Sequence, residues 1–233
     1  MKRILSIFIF LLLCSQANAM NVVMMSGAGT ITEGVAGLAI DDDSSAYASG
    51  GGTSLTWSHT VSGSDRVLFV GCANRAAQPT GVTYNGDAMT SVFTDDRVGT
   101  YFVSGWVLIN PDTGTHDIVV SYSGSTEERG GYGLSFTGAH QTTAVGTPTT
   151  GDNYGTTSTI DVSAATGDIV VDILFHGAAD EPSIGASQTQ IHTATGASRY
   201  QKGSYESGAS TTTMSWTHET SHWAQGGVAI KPK

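Results

Sequence analysis

Residues His218-Glu219-Thr220-Ser221-His222 spell H-E-x-x-H, the pattern in which two histidines hold zinc and the glutamate serves as general base of a protease. That chemistry needs a helix, because only a helical turn brings residues i and i+4 to about 6 Å on one face. On an extended strand the same pair stands about 13 Å apart. Here Thr211-Thr212-Thr213-Met214-Ser215-Trp216 leads in and Gly226-Gly227-Val228-Ala229-Ile230 leads out, and both read as strands. His218 to His222 is therefore expected to be a hairpin loop, and no residue after His222 is His, Asp, Glu or Cys to supply a third ligand. A metal on His218 and His222 would need help from elsewhere.

Other groups suggest binding rather than catalysis. Oxygen-rich loops suit Ca²⁺, and acidic pairs recur in expected loops; Asp41, Asp42 and Asp43 are the best candidates, although no D-x-D-x-D-G loop is present. Aromatic rings stack on the apolar faces of sugars. By strand alternation Trp57, Tyr132 and Trp216 read as core, whereas Tyr154, Tyr200 and Trp223 are expected to be exposed and form the candidate carbohydrate-binding set. No G-x-S-x-G elbow or phosphate loop is present, and the few glutamates cannot be paired by spacing as a glycosidase requires. No catalytic residue is assigned.

The elements that must position these residues are short runs of β-branched and aromatic residues between clusters of Gly, Ser, Thr, Asn and Pro, with helical periodicity nearly absent. Expected strands include Ser54 to Val61, Arg66 to Cys72, Gly81 to Tyr84, Phe102 to Ile109, His116 to Tyr122, Gly133 to Thr137, Asp168 to Phe175, Ser198 to Tyr205, Thr211 to Thr217 and Gly227 to Lys231. Asn85-Gly86 predicts a tight hairpin with positive φ, and Asn110-Pro111-Asp112-Thr113-Gly114 a second turn. The chain also matches itself. Val61-Ser62 and Val67-Leu68-Phe69-Val70 find their like in Val162-Ser163 and Ile169-Val170-Val171-Asp172. The run from Ile118 to Phe136 finds its like in Thr212 to Ile230, with Gly124 to Arg129 opposite the H-E-x-x-H stretch. The expected fold is an all-β, antiparallel β-sandwich of jelly-roll-like character built from two pseudo-repeated strand sets, with 137–157 crossing between them.

Arg66-Val67-Leu68-Phe69-Val70, Val82 to Thr90 with its Asn-Gly turn, Trp106-Val107-Leu108 with Asn110-Pro111, Ser135-Phe136-Thr137-Gly138 and Val228-Ala229-Ile230-Lys231-Pro232 resemble a broad group of secreted β-sandwich domains. These occur in hypothetical extracellular and surface proteins of environmental bacteria and in phage-associated proteins. The resemblance covers Val35 to Pro232 and implies fold and location; it supplies no catalytic residues.

Residues 1–19 read as a secretory signal peptide: a basic start, an apolar run from Ile4 to Leu13, and Ala17-Asn18-Ala19 as cleavage site. The run is about half the length of a membrane span, so no transmembrane anchor is expected. Cys14 raises a lipid attachment, against which Leu13 stands where a small residue is wanted. Residues 20–34 read as an N-terminal extension and 35–233 as one sandwich domain. Of 2 cysteines only Cys72 would remain, in an apolar strand, so a buried inert thiol is expected and no intrachain disulfide. A formal net charge of −10 repels phosphate backbones and argues against nucleic acid. The reading is a secreted, extracellular or cell-surface binding or adhesion module whose partner is a polysaccharide or surface glycan, with no cofactor beyond a Ca²⁺ on the acidic residues. The alternative is a self-assembling structural subunit, a homo-oligomer in a surface layer, appendage or phage-like particle; a polysaccharide-active enzyme or H-E-x-x-H protease ranks third.

Overall fold

The computed structural model describes residues 37–195 and 199–233; the expected signal peptide and N-terminal extension lie outside the described residues. The described residues contain strands and no helix, and all strands belong to one compact unit, Val35–Lys233. The first half contributes β1 Ala39–Val61, β2 Val67–Arg75, β3 Pro79–Tyr84, β4 Asp87–Ala88, β5 Thr90–Arg97, β6 Tyr101–Ile109 and β7 Gly114–Thr137. The second contributes β8 Thr149–Ser163, β9 Ile169–His176, β10 Ser183–Ile184, β11 Thr189–Thr195, β12 Tyr200–Ser207 and β13 Thr211–Ile230.

Each half builds one antiparallel sheet, and the two sheets share a topology. The first runs β4-β3-β7-β2-β6-β5 with β1 along the other side of β7; the second runs β10-β13-β9-β12-β11 with β8 along β13. The registers agree as well: Val67 faces Phe136 and Asn74 faces Arg129, just as Ile169 faces Ile230 and His176 faces Trp223. The expected repeat is thus the division between the sheets. The self-match also sets Thr53-Ser54-Leu55-Thr56-Trp57 against Thr157-Ser158-Thr159-Ile160-Asp161, and here one detail shifts: Trp57 and Ile160 face the core, whereas Asp161, opposite Trp57 in that match, is exposed.

The sheets pack face to face through Phe69, Tyr132, Leu134 and Phe136 from one and Val171, Ile173, Phe175 and Val228 from the other. The outer face of each sheet is covered too. The pair β1/β7 is long and curls back, so that Leu55, Trp57, Ile118 and Val120 lie over Leu68, Val70 and Cys72 of β2. In the second half β8/β13 do the same, with Ile160, Val162 and Met214 over Val170. Strands β2 and β9 are consequently buried on both faces, which explains why they read as unbroken apolar runs rather than alternating ones. Glycine permits the curl. A Cβ on Gly133 would stand 2.7 Å from Ile118 Cδ1, and one on Gly131 would stand 2.9 Å from the Gly71 carbonyl oxygen and 3.2 Å from the Trp57 ring.

Asn85 and Gly86 adopt φ of 51° and 87°, as the hairpin signal requires. Two expected loops differ. Gly124 to Arg129 and His218 to His222 lie inside β7 and β13, where register shifts mark the bend: between Ser49/Gly52 and Gly52/Ser54 in the first half, and between Thr217/Ser221 in the second. Turn-like composition there reflects a bulged strand pair changing direction while most of its backbone groups stay paired across strands.

Candidate functional site

The bend of the second half brings together one end of the sandwich. Strand β13 presents His218 to His222 there, β9 ends in His176, β8 presents Asp152 to Tyr154 opposite Ala224 to His222, and the β5–β6 hairpin contributes Arg97 and Tyr101. With residues 211–230 in one strand, the helix of a zinc protease is absent and the two histidines of the motif diverge in role. His218 Nδ1 lies 2.9 Å from the Glu219 carbonyl oxygen, and its ring is 4.2 Å, centroid to centroid, from that of His176. His222 turns to other partners.

Arg97 organises His222. Its Nη1 is 3.0 Å from Asp152 Oδ1, and its Nε donates to His222 Nδ1 at 3.3 Å. Because arginine only donates, Nδ1 of His222 is the acceptor in this contact and the ring N–H is on Nε2. The His222 ring then packs edge-on to Tyr154 at 4.8 Å and near-parallel to Tyr101 at 6.2 Å, while Tyr101 stacks on Phe175 at 5.1 Å. A row of rings therefore runs from the central core to the surface, ending in Tyr154, which is 56% exposed. The neighbouring hairpin is strained at its tip: Val98 and Gly99 have φ of 54° and 63°. A β-branched residue at positive φ costs on the order of 1–3 kcal/mol, and Val98 is 61% exposed.

The three aromatic candidates separate in this setting. Tyr154 is exposed as expected. Tyr200 is half-buried, faces His176 across β12/β9, and carries Lys202 Nζ 5.5 Å from its ring centroid. Trp223 is buried at 6% exposure and packs with Leu174 and Trp216; the expectation that it is exposed is overturned, because the curl of β8 and β13 covers the outer face on which it stands.

The acidic candidates lie in a strand rather than a loop. Asp41 accepts from Ser62 N at 2.7 Å, from the Ser62 hydroxyl and from Ser135 Oγ at 3.0 Å. Burial alone would raise its pKa, but those hydrogen bonds prevail and hold it below the ordinary carboxylate value. Its oxygens are thus engaged by the chain itself, at the bulge between Ile40 and Asp42. Asp42 donates its N–H to Ser135 Oγ, and Asp43 points to solvent. Cys72 is buried with its pKa pushed up to about 12 by desolvation, as an inert thiol should be.

Sequence reasoning missed His176, Arg97, Asp152 and Tyr101. Arg97 is separated from His222 by more than half of the chain, so no local signal joins them. For His176 a signal existed: the self-match aligns β2 with β9, and a histidine ends β9 where β2 has Asn74. Burial above all, and then His218, lower the His176 pKa to about 4, while Asp180 and the Glu219 carbonyl pull the other way. No protein-family model matches this chain, and neither a curated protein nor a solved structure matches it.

Proposed function

We propose that the protein is a secreted or cell-surface, non-catalytic binding module that takes a polysaccharide or surface glycan against the Tyr154 end of the sandwich. One observation carries this reading. Of the three large apolar side chains exposed among the described residues, Val98, Ile109 and Tyr154, two adjoin the Arg97–Asp152 ion pair. Val98 follows Arg97 in the chain, and Tyr154 touches the His222 ring that Arg97 holds. An aromatic face buttressed from below, with a guanidinium and a carboxylate beside it, offers a sugar both its apolar contact and its hydroxyl partners. Strain at Val98 supports the same reading, since backbone strain gathers at ligand contacts.

The test is retention of the protein on a panel of insoluble polysaccharides and immobilised glycans. Tyr154→Ala should weaken retention at least tenfold with thermal stability unchanged; equal retention by the variant would remove Tyr154 from the site. A second reading, self-assembly, is favoured by the strands with a single paired neighbour among the described residues, namely β1, β4, β5, β8, β10 and β11. Large particles in light scattering, with no glycan retained, would move the assignment there.

A further inference from the structure

Next to the proposed glycan surface, at the start of the β13 bulge that leads to His222, His176 and His218 form a pair of their own. His176 Nε2 lies 3.4 Å and His218 Nδ1 2.9 Å from the same Glu219 carbonyl oxygen, and Asp180 Oδ1 stands 3.6 Å from His176 Nε2. Those contacts assign the ring protons: each histidine donates from the nitrogen that faces the carbonyl. The opposite nitrogens, Nδ1 of His176 and Nε2 of His218, then carry lone pairs, and both are buried with no hydrogen-bond partner. The His176 side chain is fully buried and His218 is 6% exposed. Leaving such groups unpaired costs about 1–3 kcal/mol each.

We propose that His176 and His218 together bind a divalent transition cation of the Zn²⁺ class through these two nitrogens. A metal-bound histidine characteristically donates its other ring N–H to a carbonyl or carboxylate, which fixes tautomer and ring orientation; here one carbonyl serves both rings and Asp180 stands beside the first. Neutral imidazole suits Zn²⁺, Cu²⁺ and Ni²⁺, whereas Ca²⁺ and Mg²⁺ require oxygen. Among the described residues no group of three His, Cys, Asp or Glu side chains is gathered as a ligand set, so the cation keeps the remaining positions for water or an external ligand. The site ties the end of β9 to the bulge of β13, which leads directly into His222 and the Tyr154 platform. The His222 of the sequence motif is not a ligand; His176 replaces it.

The test is calorimetric titration of the untagged, chelator-treated protein with Zn²⁺, accompanied by thermal melts. One equivalent should bind and raise the melting temperature, and Ca²⁺ should do neither. His218→Gln and His176→Asn should each weaken Zn²⁺ binding at least tenfold; asparagine is the residue that the first half carries at the matching position, Asn74. His222→Ala should bind as the parent does. Absence of Zn²⁺ binding, or binding undiminished in both His218→Gln and His176→Asn, would overturn the proposal. Should His176→Asn fail to fold, His218→Gln alone decides, since His218 lies at the bulge of β13 rather than in the doubly covered strand β9.

Discussion

The two bends of the sandwich share a backbone and differ in chemistry. In the first half the bend carries charge: Glu127 pairs with Arg75, Glu128 lies 3.7 Å from Arg199, and Arg129 Nη1 donates to the carbonyls of Gly50 and Thr126 at 3.0 Å each. In the second half the matching stretch carries imidazoles and Trp223. The strands below differ in the same way: Asn74 matches His176, and Val70, facing Gly133, matches Asp172, facing Gly227. The apolar and glycine pattern that makes the curl is common to both halves, so the polar residues at the bend were free to diverge. What distinguishes the halves is therefore a better guide to function than what unites them.

The largest test of this comparison is Asp172→Val, which gives the second half the residue of the first. Asp172 is fully buried and accepts from Ser204 N, Ser204 Oγ, Trp216 Nε1 and Gln225 Nε2 at 2.5–3.0 Å. Valine would leave those donors buried and unpaired, so a loss of about 3–5 kcal/mol in urea unfolding is expected. A loss below 1 kcal/mol would mean that the halves are interchangeable at this position.

Next comes a pair of opposed pH dependences. Burial raises the Asp172 pKa from 3.8 to about 6, against the hydrogen bonds it accepts; its contribution is full below pH 3.8 and is lost as pH rises through 6. Burial, with the Lys202 charge second, lowers the His192 pKa from 6.5 to about 4. The unfolded chain then takes that proton first, and stability is lost as pH falls from 6.5 to 4. Each effect is on the order of 3 kcal/mol, and they oppose one another between pH 4 and 6. Relative to the parent, Asp172→Asn should lose stability more steeply on acidification over that window, and His192→Phe less steeply. Identical slopes in all three proteins would show that neither group is buried as described.

Smaller effects follow at the curl and the surface. Gly133→Ala forces a methyl against Ile118 and His59, and about 1–3 kcal/mol of destabilisation is expected. At Gly227 the nearest side-chain atom is 3.0 Å away, Ile160 Cδ1, with the Val171 carbonyl oxygen at 2.9 Å; Gly227→Ala should fall in the same range, which differential melting of the two variants would check. Least of all, Arg75→Ala should change stability by less than about 1 kcal/mol, because Glu127 is largely exposed. A double-mutant cycle with Glu127→Ala would reveal any larger coupling.

How far these features were legible from the chain depended on range. The Asn85-Gly86 turn, the core positions of Trp57, Tyr132 and Trp216, and the exposure of Tyr154 follow from local chemistry and strand alternation, and the structure agrees with each. Trp223 was misread because its burial depends on a strand pair folding over it from outside its own segment. The loop expected at His218 to His222 failed for a related reason. Polar and small residues look turn-like wherever a partner strand is not visible, yet here β8 pairs with β13 on both sides of the bulge.

The sequence by itself determined that the chain is all-β and twice repeated, since alternation, turn residues and apolar runs act over a few residues and recur in both halves. Only the tertiary structure decided that each repeat closes its own sheet, that the long strand pairs curl back, and that His176 meets His218 while Arg97 meets His222. Those pairings join residues far apart in the chain, and their geometry is set by how two covered sheets pack rather than by any spacing along the chain.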